Sequence, residues 1–161
     1  MCITVRGETE EEELARKKKE EELIHFWRIP EDSRNHMMLN EESYDNFVVD
    51  PSTGKLYDGK PWLLMFYKAK CGICKKWKPL ILELSKEMDS IGFGFVDKDQ
   101  SELLKTTYNT TMYPSIFLLK DGLAYQFINT GGGKNSLIKF IEEDHVNSKN
   151  IKPIIQRINN F

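Results

Sequence analysis

The sequence predicts an α/β fold: a mixed central β-sheet flanked by helices on both faces, with a charged N-terminal helix and a C-terminal amphipathic helix. Three observations carry that expectation. From about Asn40 to His145, short apolar runs alternate with stretches of helical period. The run Trp62-Leu63-Leu64-Met65-Phe66-Tyr67 has no polar alternation and follows turn residues, as a central strand buried on both faces does. Ser115 to Leu119, Asp121-Gly122 and Leu123 to Ile128 read as strand, tight turn and strand, which makes the end of the sheet antiparallel.

The elements follow in order. Thr9 with Glu12 reads as a capping box that opens a helix in which acidic and basic blocks recur three to four apart, running to Phe26-Trp27. Two readings of this segment stand: a solvated arm, or a docking helix that offers Leu23, Ile24 and Trp27 to a partner. Pro30 closes it. Asn40 to Phe47 suggests a short helix leading into Val48-Val49, and Pro51 to Gly54 and Asp58 to Pro61 are turn chemistry. After the Trp62 strand, Trp77, Leu80, Ile81, Leu84 and Met88 mark one face of a helix, with Pro79 expected to kink it rather than abolish it. Ile91 to Val96 is a second core strand and Ser101 to Tyr108 a short helix. Gly131-Gly132-Gly133 precedes a helix around Leu137, Ile138 and Ile141. Ile151, Ile154, Ile155 and Ile158 repeat helical spacing with Pro153 near the start, which predicts a docked C-terminal helix.

With 161 residues, 40% of them hydrophobic, the chain suits one domain plus extensions. The expected division is a charged extension over residues 1–36, the α/β domain over 37–145 and a helical extension over 146–161. A balance of 23 basic against 25 acidic residues, net charge -2, offers no electrostatic case for nucleic acid or an anionic membrane surface. Proteins or peptides are the expected partners. No stretch reaches the roughly eighteen apolar residues that cross a bilayer. The sequence leaves the address open between the endoplasmic reticulum lumen, if a leader has been removed, and the cytoplasm.

The chemistry concentrates at Cys71-Gly72-Ile73-Cys74, where the apolar strand meets the amphipathic helix. Three cysteines are too few for a disulfide-stapled scaffold, and Cys2 is far from the other two in sequence, so a disulfide here would be functional. A metal site needs more ligands than one C-x-x-C pair, and His25, His36 and His145 are scattered. No metal and no cofactor is expected. A chance pair is the bland reading, weakened by the strand-to-helix context, and dithiol redox chemistry is the sharp one. A thiol at a helix start sits where backbone N–H groups favour the thiolate, so Cys71 suits the attacking role and Cys74, one turn on, the resolving role.

Lys60-Pro61-Trp62-Leu63, Phe66-Tyr67, Cys71-Gly72, Cys74-Lys75-Lys76, Pro79 and, downstream, Tyr113-Pro114 resemble, in order and spacing, the thioredoxin superfamily and more narrowly a protein disulfide isomerase domain. The resemblance covers about Asn40 to His145. It implies a thioredoxin fold and protein disulfide oxidoreductase or isomerase-like activity in redox homeostasis, with a reductase or oxidase as redox partner. It implies Cys71 as nucleophile, Cys74 as resolving thiol, Pro114 as a cis-proline, and Tyr113 as the residue whose backbone pairs with an extended substrate peptide.

Departures from the family pattern point to tuned activity. Lys70 stands where relatives have tryptophan, and its cation favours the thiolate while removing an aromatic contact surface. Ile73 stands where isomerases have histidine, which makes the pair less oxidising. Met65 occupies the place of a buried acid, and Thr110, Thr111 and Met112 supply no arginine before the cis-proline. Two functions therefore stay open: an oxidoreductase with weakened turnover, and a weakly active or redox-inert binding module on the same fold.

Overall fold

The computed structural model describes residues 7–29 and 35–154. The chain divides into two compact units, Met1–Glu31 and Asp32–Phe161.

The first unit is helix α1, Glu10–Trp27. The Thr9 hydroxyl accepts the Glu12 N–H at 3.1 Å, and four glutamates fill the first turn, where the helix dipole favours negative charge. Ion pairs one turn apart join Glu13 to Lys17 at 3.1 Å and Arg16 to Glu20 at 3.0 Å, and Arg16 also reaches back to Glu8. Its few apolar side chains form no stripe. Exposed pairs of this kind each contribute only a few tenths of a kcal/mol.

The second unit is built on a six-stranded sheet: β1 His36–Met38, β2 Trp62–Tyr67, β3 Gly92–Asp97, β4 Ser115–Lys120, β5 Leu123–Phe127 and β6 Ile151–Pro153. Their spatial order is β1-β3-β2-β4-β5-β6. The first three run parallel and the last three join antiparallel, so the sheet is mixed. The helices of this unit are α2 Glu41–Ser43, which continues into a wide turn over Tyr44–Val48, α3 Gly72–Glu87, α4 Glu102–Thr107 and α5 Lys134–Glu142. The expected order of strand, helix, strand, helix, strand, strand, helix is that of β2 to α5.

Alternation along β2 assigns the two faces. Trp62, Leu64 and Phe66 join Tyr44, Val48, Leu104, Tyr108 and Phe117 in one core cluster under α2 and α4. Leu63, Met65 and Tyr67 therefore point to the opposite face, where α3 and α5 bring Cys74, Trp77, Ile81, Leu137 and Phe140 into burial. Trp77 meets Phe127 edge-on, and Phe127 meets Phe140. Two glycines make room on the first face. A Cβ on Gly92 would come 2.5 Å from the Trp62 indole, and one on Gly94 would strike Leu39. The β4–β5 turn at Asp121-Gly122 has both residues at positive φ, 52° and 83°, as a two-residue hairpin requires.

The sheet carries an unexpected strand at each edge, β1 at the start of the expected domain and β6 beyond its end. Strand β1 pairs with β3, Met37 opposite Gly94, though no strand was expected there. At the other end, the predicted C-terminal helix is corrected where the structure describes it. Ile151–Pro153 is an edge strand paired with β5, Leu123 opposite Pro153. Proline suits an edge, since its missing N–H leaves no ladder bond unmade on the outer side. Ile151 is half exposed and Ile154 is buried in the core, so the two do not share the helical face that their spacing suggested. Lys152 anchors the strand by donating from Nζ to the Tyr108 carbonyl at 2.8 Å. The remainder of that helix, with Ile155 and Ile158, lies outside the described residues.

Candidate active site

Topology brings the two halves of the site together. Because β4 runs antiparallel to β2, Ser115 lies opposite Phe66, and the loop entering β4 stands beside the loop leaving β2. The first loop carries Tyr113-Pro114 and the second carries Cys71. The Tyr113–Pro114 peptide bond is cis.

Cys71 is the N-cap of α3. Its extended backbone, φ -77° and ψ 121°, turns the chain out of the strand, and its Sγ accepts the Cys74 N–H at 3.3 Å. On its other side the Cys71 thiol donates to the Tyr113 carbonyl at 3.7 Å. The chain is held from behind as well, the Cys71 N–H donating to the Lys68 carbonyl at 2.9 Å. The two thiols differ sharply in environment. Cys71 is partly exposed, whereas Cys74 is fully buried. Burial, reinforced by the adjacent Cys71 sulfur, pushes the Cys74 thiol up to about 12, so it is a neutral thiol at physiological pH.

Around the thiols, α3 is clamped to the far loop. Trp77 donates from Nε1 to the Thr130 carbonyl at 2.8 Å, and Lys134 at the start of α5 reaches Glu83 and Glu87 at 2.9 and 2.7 Å. Pro79 sits exposed inside α3, which runs on past it to Glu87. Tyr67, the last residue of β2, is buried, and its phenol is pushed well above the usual range by burial and by the nearby Asp97 and Cys74. Lys98 stands with its Nζ 5.7 Å from the Tyr113 ring centroid.

Among the four core site residues, Cys71, Cys74 and Tyr113-Pro114 meet at one place. Lys70 and Ile73 flank Cys71 in sequence and are exposed, Ile73 by 49%. Met65 is wholly buried on the face that α3 covers. Sequence reasoning missed Trp77, reading it as core, and quoted Tyr67 only within the family-like stretch, assigning it no role. The signal for Tyr67 was its place at the end of the strand that delivers the dithiol. Among the described residues, no three His, Cys, Asp or Glu side chains gather into a metal site. No helix among them is long and apolar enough to cross a membrane.

A family profile described as Thioredoxin matches residues 35–143. The chain is similar to protein disulfide-isomerase A4 of Rattus norvegicus, 33% identical over 94 residues that make up 56% of this chain and 13% of the isomerase. It is similar to protein disulfide-isomerase TMX3 of Homo sapiens, 39% identical over 70 residues, 41% of this chain and 15% of that protein. Thioredoxin H9 of Arabidopsis thaliana is 30% identical over 87 residues, 54% of this chain and 59% of the relative. The chain thus spans a small part of the two isomerases and over half of the plant thioredoxin.

Among solved structures, the first thioredoxin domain of mouse protein disulfide-isomerase A4 superimposes with a TM-score of 0.55 at 22% identity, over 71% of this chain and 82% of that one. The J-Trx1 fragment of ERdj5 gives 0.57 at 23%, over 74% and 54%. These likenesses show the fold. Kinship with isomerases and thioredoxins supports thiol–disulfide oxidoreductase chemistry in general. By the residues matched and by the fold they build, the chain belongs to the thioredoxin family.

Proposed function

We propose that the chain exchanges disulfides with protein or peptide substrates through Cys71 and Cys74. The observation that carries the reading is the asymmetry of the pair: one partly exposed sulfur between the Cys74 N–H and the Tyr113 carbonyl, and one sulfur buried behind it.

The Cys71 thiolate attacks one sulfur of a substrate disulfide; a mixed disulfide forms, and the other substrate sulfur leaves as a thiolate that takes up a proton. Cys74 then loses its proton and attacks the Cys71 sulfur. The Cys71–Cys74 disulfide forms, the second substrate thiolate leaves, and two electrons have passed from the protein dithiol to the substrate. A reductase restores the dithiol. Run in reverse with an oxidase as partner, the same steps place a disulfide in a substrate. The Tyr113 backbone next to Cys71 suits an extended peptide laid across the site.

The buried Cys74 is the slow point of this scheme. A thiol held near 12 gives up its proton reluctantly, and Met65 provides no carboxylate on that face to receive it. Ile73, in place of histidine, shifts the pair towards the reducing side. Turnover below that of a full isomerase is the expected result.

Met65 and Lys70 favour a second reading, a binding module that uses the Tyr113-Pro114 groove without turnover. Insulin reduction by the wild type beside Cys71→Ser separates the two. The redox reading predicts activity in the wild type and its loss in the variant; equal rates support the binding module.

A further inference from the structure

We propose that the dithiol face selects acidic peptides, in which aspartate or glutamate lies close to the disulfide presented to Cys71. The inference rests on the dithiol reading and adds the chemistry of the substrate to it.

Between Gly59 and Leu82 fall six of the chain's 23 basic residues and none of its 25 acidic ones, in a protein of net charge -2. Two of the six are engaged away from the thiols. Lys60 lies over the Trp62 ring at the opposite end of β2, 5.4 Å from its centroid, and Lys78 is buried in α3. The other four adjoin Cys71 along the backbone. Lys68 accepts the Cys71 N–H through its carbonyl, Lys70 precedes Cys71, and the Lys75 N–H donates to the Cys71 carbonyl at 3.1 Å, with Lys76 next to it. Lys68, Lys70 and Lys76 are exposed and Lys75 is partly so. None of the four makes an ion pair among the described residues.

Two acidic residues stand on this side, at and just beyond the end of β3. Asp99 is paired with Lys98 at 2.8 Å, and Asp97 accepts the Asp99 N–H at 2.9 Å. Lys98, in that pair, stands beside the Tyr113 ring. In α1, by contrast, acidic and basic blocks lie one turn apart, and Arg16 pairs with Glu20 and Lys17 with Glu13. The four lysines near Cys71 in the chain have no such partner among the described residues, and three of them are exposed. A carboxylate-bearing segment relieves their mutual repulsion, and the field raises encounter rates with anions by about tenfold or more at low salt. Beyond the Debye length, about 8 Å at physiological ionic strength, that advantage is screened away.

The test uses the reduced full chain and three homodimeric peptide disulfides that differ only in the residues flanking cysteine: aspartate, asparagine or lysine. Thiol oxidation is followed by acid quench and mass spectrometry, and each rate is divided by that of the same peptide with cysteamine, whose reacting thiolate carries no net charge, so that intrinsic differences in disulfide reactivity cancel. The aspartate peptide is expected to react about tenfold faster than the asparagine peptide at low ionic strength, with the gap closing to about twofold near 0.5 M salt. The Lys68→Glu/Lys76→Glu variant should reduce the ratio of aspartate to lysine rates. Equal normalised rates, or a gap that salt leaves unchanged, would overturn the preference while the asparagine peptide still shows a working dithiol. No exchange with any of the three peptides would overturn the dithiol reading, and this inference with it.

Discussion

The Sγ of Cys71 lies 3.7 Å from the carbonyl oxygen of Tyr113, so the sulfur proposed to attack and the backbone proposed to pair with substrate meet across the ends of two antiparallel strands. Cys74, one turn into α3, is shielded behind them. Iodoacetamide at about pH 8 should therefore label Cys71 and leave Cys74 unmodified. Burial disfavours the thiolate, so Cys74 labelling rises with pH and becomes appreciable only on approach to about 12. Peptide mapping reads the two sites separately, and equal labelling at pH 8 would contradict the arrangement.

The same shift has a consequence for stability. The Cys74 pKa is raised in the fold above its ordinary value of 9.0, so the folded state holds that proton more tightly than the unfolded chain. The contribution is complete below about pH 9 and is lost as pH rises towards 12. Cys74→Ala should flatten this part of the stability profile, measured by urea unfolding of the reduced protein at stepped pH.

Replacing Cys74, the proposed resolving thiol, should stall exchange halfway. In Cys74→Ser the mixed disulfide on Cys71 has no internal attacker, so a covalent adduct with a peptide disulfide should accumulate and persist until reductant is added. Intact-mass measurement detects it. An adduct as short-lived as in the wild type would remove Cys74 from the resolving role.

Gly92 tests the packing that holds β3 against β2. A Cβ there would stand 2.5 Å from the indole of Trp62, a rigid ring that is 4% exposed. Gly92→Ala should cost about 1–3 kcal/mol and lower Tm by about 5 °C or more. An unchanged Tm would mean that the ring has room to move.

Met65 stands on the covered face two residues from Tyr67, whose phenol is influenced by Cys74. Met65→Glu should place a carboxyl where it can accept the Cys74 proton, speeding release of the second product. Burial raises the folded pKa of such a carboxyl, so its cost is smallest near pH 4 and grows as pH rises through the shifted value. Stopped-flow kinetics of the second step and melting curves at stepped pH measure the two effects; a slower second step would count against the proton-acceptor argument.

What the sequence made legible was where local pattern and tertiary structure agree. The unbroken run from Trp62 to Tyr67, the Asp121-Gly122 turn and the periodicity from Trp77 to Leu84 each specify one element. The two edge strands were not legible, for different reasons. His36–Met38 is too short for a pattern and is a strand only because β3 pairs with it from more than fifty positions away. Ile151–Pro153 has residues at a spacing that suits a helix as well as a strand, and the register with β5 decides between them. At the site, the C-x-x-C pair stands out in sequence because it is local. The partnership of Cys71 with Tyr113 does not, because the topology of β2 and β4 creates it.

Titration of the reduced protein against glutathione redox buffers, with thiol trapping and mass analysis, tests whether Cys71 and Cys74 work as one redox pair. One two-electron transition is expected, in which Cys71 and Cys74 become protected together, at a potential more reducing than the roughly -180 mV of protein disulfide isomerase and towards the roughly -270 mV of thioredoxin. Persistent glutathione adducts on Cys71 with Cys74 still free, or no oxidation across the range, would contradict it.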